Sequence, residues 1–289
     1  LSPGRWERAG VRGDDSGELA ERERAMGLMN IFSREKVLIG MVHLLPLPGS
    51  PRYAGNLQAV MDRAIQDARA IAGGGMDGCL VENSGDAPFS ADPVGPETVA
   101  AMTTLLTEIR RTVAISCGVN VLKNDPRAAL AIAMATGARF VRITVHAGVM
   151  VTGQGIIQGD ASGTLRYRRA IGAEGVALWV DFMTKHGGPL VAGDPAQEAK
   201  DLVHRELADA LVVSGRGTGE AADLELLKTV RKVVPGTPLL VGSGATPETI
   251  KALFEIADGA IVGTAIKTDG KLAHPIDPAR VALLVRASR

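Results

Sequence analysis

The sequence predicts a (β/α)8 TIM barrel, and three observations carry that expectation. Short apolar runs alternate with amphipathic segments along most of the chain. Polar and ionisable residues gather just after the apolar runs. The last two runs, 239–241 and 260–262, end in small residues, Gly242-Ser243-Gly244 and Gly263-Thr264. Small residues at strand ends let backbone N–H groups approach a ligand closely. Barrels of this class often hold a phosphate there, after their seventh and eighth strands.

The first run, 37–42, is continuously apolar, as a strand buried on both faces requires, and ends at His43. Residues 57–72 then put Leu57, Val60, Met61, Ala64, Ile65, Ala68 and Ile71 on one helical face, and Gly73-Gly74-Gly75 stops that helix. A second strand, 78–81, ends at Glu82-Asn83. A helix carrying Val99, Met102, Leu105, Leu106 and Ile109 follows. The third strand, 114–121, includes Asn120 and leads to Lys123-Asn124-Asp125. Asp125 precedes Pro126, so it reads as the N-cap of a helix over 126–136.

The fourth strand, 140–145, leads to His146 and then to a long loop ending near residue 165. Loops of that length are commonly lids or binding loops, and Gln154 is its candidate ligand contact. The fifth strand, 177–180, is followed by Asp181, Lys185 and His186, and a helix over 195–206 comes next. The sixth strand, 210–213, opens onto Ser214-Gly215-Arg216-Gly217-Thr218-Gly219. Leu224, Leu227 and Val230 mark the sixth helix. Thr246 and Pro247 read as N-cap and first residue of the seventh, and 278–285 as the last. A doubly wound dinucleotide fold would need a G-x-G-x-x-G turn after its first strand; HLLPLP stands there instead (43–48).

A chain of 289 residues, 46% hydrophobic and 22% charged, can bury a large core. Lys+Arg and Asp+Glu balance at 32 each, and only 3% of residues are aromatic. Neither a basic field nor a base-stacking surface points to nucleic acid. No apolar stretch is long enough for a transmembrane segment. A cytoplasmic location is therefore expected, with Cys79 and Cys117 as reduced core thiols. Residues 1–30 read as a charged extension, with Met26 and Met29 standing just before the first strand. The part before Met26 is expected to lie upstream of the native product. Residues 31–289 read as a single barrel domain.

Catalytic groups of such barrels stand at the C-terminal ends of the strands. His43, Glu82, Asn120, His146, Asp181 and Lys185 are the candidates by that rule. Ser214, Gly215, Gly242, Ser243, Gly244, Gly263 and Thr264 are the candidates for holding phosphate. Glu82 and Asp181 are also candidate ligands of a divalent metal; the cofactor is otherwise open. Lys185 suits a Schiff base, a phosphate contact or a solvated loop cation. Arg142 and Thr144 share a face of their strand, so Arg142 needs an anionic partner, Glu82 or Asp181.

Several longer motifs resemble the BtpA/SgcQ family of barrel proteins. They are GMVHLLPLPGSP (40–51), ENSGDAPF (82–89), GVNVLKND (118–125), RITVH (142–146), QGIIQG (154–159), VGSG (241–244) and DGAIVGTAIK (258–267). Their order and spacing cover residues 36–289. Family members often carry Arg where Lys123 stands and Asn where Thr144 stands. The resemblance implies the barrel, but no one reaction across the group. It is named partly for a member linked to photosystem I biogenesis. The expected function is an enzyme acting on a small phosphorylated metabolite, a sugar phosphate or nucleotide derivative. Isomerisation, aldol-type cleavage and hydrolysis are all open, as is a homo-oligomer. The alternative is a non-enzymatic assembly or stability factor for a membrane complex such as photosystem I.

Overall fold

The structure is a computed structural model, and it describes residues 27–183, 185–215, 217 and 220–289. Eight strands close a parallel barrel: β1 (Val37–His43), β2 (Gly78–Glu82), β3 (Ser116–Asn120), β4 (Phe140–Ile143), β5 (Ala177–Phe182), β6 (Ala210–Val213), β7 (Leu239–Val241) and β8 (Gly259–Val262). Each pairs with its neighbours in sequence, and β1 closes the ring on β8 through Val37–Gly259 to Gly40–Val262. The helices between them are α1 (Leu57–Gly73), α2 (Pro96–Thr112), α3 (Pro126–Thr136), α4 (Ala161–Ala170), α5 (Pro195–His204), α6 (Leu224–Val233), α7 (Ile250–Phe254) and α8 (Pro278–Ser288).

Strand periodicity divides the core into two parts. Leu38, Val42, Val81, Val119, Val141, Leu178 and Leu211 face the helices. Val37, Ile39, Met41, Leu80, Phe140, Trp179, Val212, Leu240 and Ile261 fill the barrel itself. Phe140 and Trp179 stack with ring centroids 3.8 Å apart. Gly118 on β3 makes the room for them, since a Cβ there would lie 2.2 Å from the Phe140 ring. Cys79 and Cys117 face each other across the β2–β3 ladder as free, buried thiols.

The barrel floor is closed from the N-terminal side. Phe32 packs about equally on Phe140 and Trp179, at 6.0 and 6.1 Å, and Leu28 is 1% exposed in the same cluster. Ser116 Oγ donates to the Ile31 carbonyl at 2.8 Å, which holds the segment across the opening. The barrel's packing therefore reaches back to Leu28, inside the stretch expected as an extension. Residues 1–26, including the segment before Met26, lie outside the described residues.

Local chemistry sets most helix starts. Asn56, Asp125, Asp160, Asp194, Asp223 and Asp277 each accept from a backbone N–H in the first turn. Pro96, Pro126, Pro195 and Pro278 occupy first-turn positions, where no intrahelical donor is lost. The cap of α7 differs from expectation. Thr246 opens a turn, accepting from the N–H groups of Thr249 and Ile250, and the helix proper starts only after Thr249.

The long loop after β4 is also more ordered than its glycines suggest. Val149–Thr152 and Gly155–Gln158 form a hairpin, and Gly187–Pro189 from the loop after β5 adds a third strand. Together they roof one side of the barrel mouth. Leu28→Ala should lower unfolding free energy by about 2–5 kcal/mol, the usual cost of emptying a packed leucine site. Urea denaturation measures it, and a loss under about 0.5 kcal/mol would remove Leu28 from the core.

Candidate active site

The inward register of the strands ends in the side chains of His43, Glu82, Asn120, Arg142 and Asp181 at the mouth, in Ser214, which stays buried, and in Gly242 and Gly263, which have none. Period-two alternation carries them there from the apolar barrel filling below. A cavity of about 320 Å³ opens above, with Lys123, Lys185, Ser243, Gly244 and Thr264 also in its wall.

Arg142 and Asp181 form the fixed centre. Arg142 Nε and NH2 reach Asp181 Oδ1 and Oδ2 at 2.8 and 3.0 Å, with 5% and 7% of each residue exposed. Burial opposes the guanidinium charge, but Asp181 outweighs it and raises the Arg142 pKa. Of the two partners expected for Arg142, Asp181 is the one. Both carboxylate oxygens are thus committed to a cation. That argues against Asp181 as a metal ligand, and among the described residues no three His, Cys, Asp or Glu side chains converge to hold one.

Glu82 keeps one oxygen available. Asn120 Nδ2 donates to Glu82 Oε2 at 2.7 Å, and His43 Nε2 stands 3.9 Å from Oε1, beyond hydrogen-bond reach. Burial drives the His43 pKa down to about 3, helped by the positive charges of Lys267, Lys185 and Arg142. His43 is therefore a neutral imidazole, and its pairing with Glu82 is no ion pair. Gly263 leaves the ring its place, because a Cβ there would sit 2.9 Å from His43 Cε1.

Lys185 lies across the cavity, its Nζ donating to the Gly242 carbonyl at 2.8 Å. Burial first, then the charge of Arg142, lowers its pKa to about 8. Lys123 Nζ donates to the Lys185 carbonyl at 3.3 Å, and burial lowers its pKa too. Met183 and His186 adopt left-handed backbone on either side of Lys185, with φ of 64° and 57°.

The glycine wall has a defined shape. Gly244 has φ 75°, and a Cβ there would strike the Ala221 backbone at 2.4 Å. Ser243 Oγ is already committed, accepting from the Gly215 N–H at 2.8 Å. Among the described residues, no acceptor stands against the N–H groups of Gly244, Ala245, Thr264 or Ala265. Gly242, Ser243, Gly244, Gly263 and Thr264 line the cavity; Ser214 and Gly215 do not. Ser214 Oγ is buried beneath Gly242, which carries no Cβ to displace it. Arg216, Thr218 and Gly219 of that loop lie outside the described residues.

Two sequence candidates sit elsewhere. His146 faces away from the mouth, its Nε2 at 2.8 Å from the Glu206 carbonyl, and it lines a separate cavity under the roof. Gln154 lies in the hairpin turn and lines neither cavity. Other polar strand-end residues fasten loops. Asn83 Oδ1 accepts from Leu122 N–H at 2.7 Å, Asp86 accepts from Leu47 N–H at 2.7 Å, and Asn124 bonds Val145 through both amide atoms. Lys267 is buried against Asp67 at 2.7 Å, so the end of the DGAIVGTAIK motif anchors α1. Lys123, Arg142, Phe89 and Leu272 are cavity residues absent from the catalytic candidates. Phe89 is one of five phenylalanines in an aromatic-poor chain, a signal that was present. Leu272 gives none.

The profile of the BtpA family matches residues 34–289. The chain belongs to the BtpA family. It is 43% identical to the photosystem I biogenesis protein BtpA of Synechocystis sp., covering 91% of each chain. It is 35% identical to the putative sgc region protein SgcQ of Escherichia coli, over 88% of this chain and 95% of that one. Among solved structures, N-(5'-phosphoribosyl)anthranilate isomerase from Pyrococcus furiosus shares the barrel with a TM-score of 0.53. That match covers 88% and 98% of the two chains at 13% identity, a likeness of fold.

Asp181→Asn should destabilise the protein by about 3–5 kcal/mol, because it strands the buried Arg142 charge. Urea unfolding of Asp181→Asn beside Arg142→Met/Asp181→Leu checks this. The apolar double variant should recover most of the loss. A cost under about 1 kcal/mol for Asp181→Asn would show the pair to be solvated.

Proposed function

We propose that this BtpA-family chain is an enzyme that acts on a small phosphorylated metabolite, a sugar phosphate or nucleotide derivative, at the barrel mouth. One observation carries the reading: a single cavity with two chemically unlike walls. On one side, the backbone N–H groups of Gly244, Ala245, Thr264 and Ala265, without an acceptor among the described residues, stand with the Lys185 ammonium. Convergent N–H donors and a cation suit a phosphate. On the other side, Glu82 is held by Asn120 beside the neutral ring of His43.

In this reading the phosphate anchors the substrate and leaves its reacting carbon or oxygen near Glu82. Glu82 Oε1, free of Asn120, takes the proton as general base. His43, uncharged, gives or accepts a hydrogen bond without placing a second charge beside Glu82. Arg142 and Lys123 supply positive potential for negative charge that develops on the substrate. Isomerisation, aldol-type cleavage and hydrolysis each begin with such a proton transfer. A cytoplasmic setting without nucleic acid belongs to the same proposal, supported by the balanced charge and few aromatics.

The second reading, an assembly factor for a membrane complex, rests on the printed name of the Synechocystis relative. The Escherichia coli relative carries a different name, so family membership does not select it. No helix among the described residues is long and apolar enough to cross a membrane. Buried ionisable groups around an open cavity are better accounted for by catalysis than by surface docking.

A thermal-shift panel of phosphorylated sugars and nucleotides tests the proposal. At least one should raise the melting temperature of the wild type, and Thr264→Asp should abolish that rise. No shift with any member of the panel would end the phosphate reading. Inorganic sulfate, which keeps its charge throughout, adds a pH test. Lys185 is protonated below about 8 and loses its charge above. Sulfate protection should therefore be larger at about pH 6.5 than at about pH 9.5, and Lys185→Gln should flatten the difference. Equal protection at both pH values would remove Lys185 from the anion site.

A further inference from the structure

Two oxygen acceptors stand side by side in the mouth cavity, and neither meets a donor. Glu82 and Asn120 are register partners across β2 and β3, and Asn120 Nδ2 donates to Glu82 Oε2 at 2.7 Å. That bond leaves Asn120 Oδ1 and Glu82 Oε1 without a hydrogen-bond donor among the described residues. Asn120 is 2% exposed and Glu82 9%, and both line the cavity. Among the described residues, the unpartnered side-chain atoms with no accessible surface are His43 Nδ1, Ser50 Oγ, His146 Nδ1 and Ser214 Oγ. Asn120 Oδ1 and Glu82 Oε1 are not in that group, so the little surface they keep opens on the cavity.

A donor completes this corner. Lys123 lies three residues beyond Asn120 in the same cavity wall, and its Nζ donates to the Lys185 carbonyl at 3.3 Å. An ammonium carries three N–H groups, so two more remain, with no acceptor for them among the described residues. Burial lowers the Lys123 pKa, while the charges of Asp181 and Glu82 oppose that, which places the ammonium near both carboxylates. Buried polar groups in native structures are nearly always matched. Matching these takes a group that gives a hydrogen to an oxygen and accepts one from an ammonium, at two adjacent points. A hydroxyl does both and carries no charge. An amine would meet the charges of Lys123, Lys185 and Arg142, and a carboxylate would meet Glu82 and the Asn120 oxygen.

We propose that the substrate presents two neighbouring hydroxyls to this corner, one donating to Glu82 Oε1 and one to Asn120 Oδ1, with Lys123 donating to both. The proposal rests on the phosphate reading above and narrows it. The phosphorylated metabolite carries an intact vicinal diol, which a free sugar phosphate and the ribose of a nucleotide both supply. Asn120 and Lys123 then select for hydroxyls, while the glycine wall holds the phosphate.

Isothermal titration of the full chain with matched pairs tests it. The pairs are glycerol 3-phosphate with 3-hydroxypropyl phosphate, ribose 5-phosphate with 2-deoxyribose 5-phosphate, and adenosine 5'-monophosphate with its 2'-deoxy form. In at least one pair the diol should bind about tenfold more tightly, since the missing hydroxyl leaves a buried acceptor unmatched. The pair that discriminates tells a free polyol or sugar from a nucleotide. Asn120→Leu and Lys123→Met should each bring that ratio below about two. Protection by inorganic sulfate reads the phosphate wall alone, and it should persist in both variants and show that they fold. Sulfate protection with no diol preference in any pair would overturn the diol and leave the phosphate reading standing. A preference kept in full by both variants would overturn the assignment to this corner, and loss of sulfate protection in the wild type together with all binding would end both readings.

Discussion

The mouth of this barrel is organised by the bidentate pair between Arg142 and Asp181. A guanidinium buried among strand ends persists only if a carboxylate faces it squarely, and neighbouring β4 and β5 supply that geometry. The pair then conditions the groups around it. Its cation helps to keep His43 neutral and lowers Lys185, while Asp181 helps Lys123 retain its charge. Gly242 lacks a side chain where one would crowd Arg142 NH2 at 3.3 Å. Asp181 lines both cavities, so the same carboxylate stands where the two meet.

Below that pair the barrel is filled by bulk rather than polarity. Stacked Phe140 and Trp179 occupy the middle, Gly118 gives them room, and Phe32 and Leu28 close the bottom. A dry floor of this kind leaves the C-terminal end as the accessible mouth. It also raises the cost of any unpaired charge above it. The strong shifts at His43 and Lys185 are the electrostatic trace of that packing. The chemistry proposed for Glu82 depends on it, since a general base acts best where water is excluded and its partners are fixed.

Polar residues after the strands serve two purposes that residue type alone does not separate. Asn120 faces inward and holds Glu82, whereas Asn83 and Asn124 face outward and tie loop backbones together. The fasteners hold the loops after β2, β3 and β4 in place, which gives the cavity stable walls. Lys267 shows the same division: it follows the glycine wall but turns into a buried ion pair with Asp67 on α1. Family membership is shared with relatives whose names point in different directions, so this arrangement carries the functional argument.

The sequence by itself determined the barrel, because buried parallel strands leave continuous apolar runs and amphipathic helices leave periodic ones. It also placed His43, Glu82, Asn120, Asp181 and Lys185 at the mouth, since strand ends follow from strand positions. Only the tertiary structure decided which of the polar residues meet. His146 lies just past the end of β4, and local pattern could not show that its ring turns to Glu206. Nor could it show that the loop after β4 folds into a hairpin, because its third strand comes from Gly187–Pro189 on the next loop. The core's reach to Leu28, the pairing of Asp181 with Arg142 and the neutrality of His43 are likewise long-range results. Each depends on groups distant in sequence, and a local period carries no information about which distant partner closes the contact.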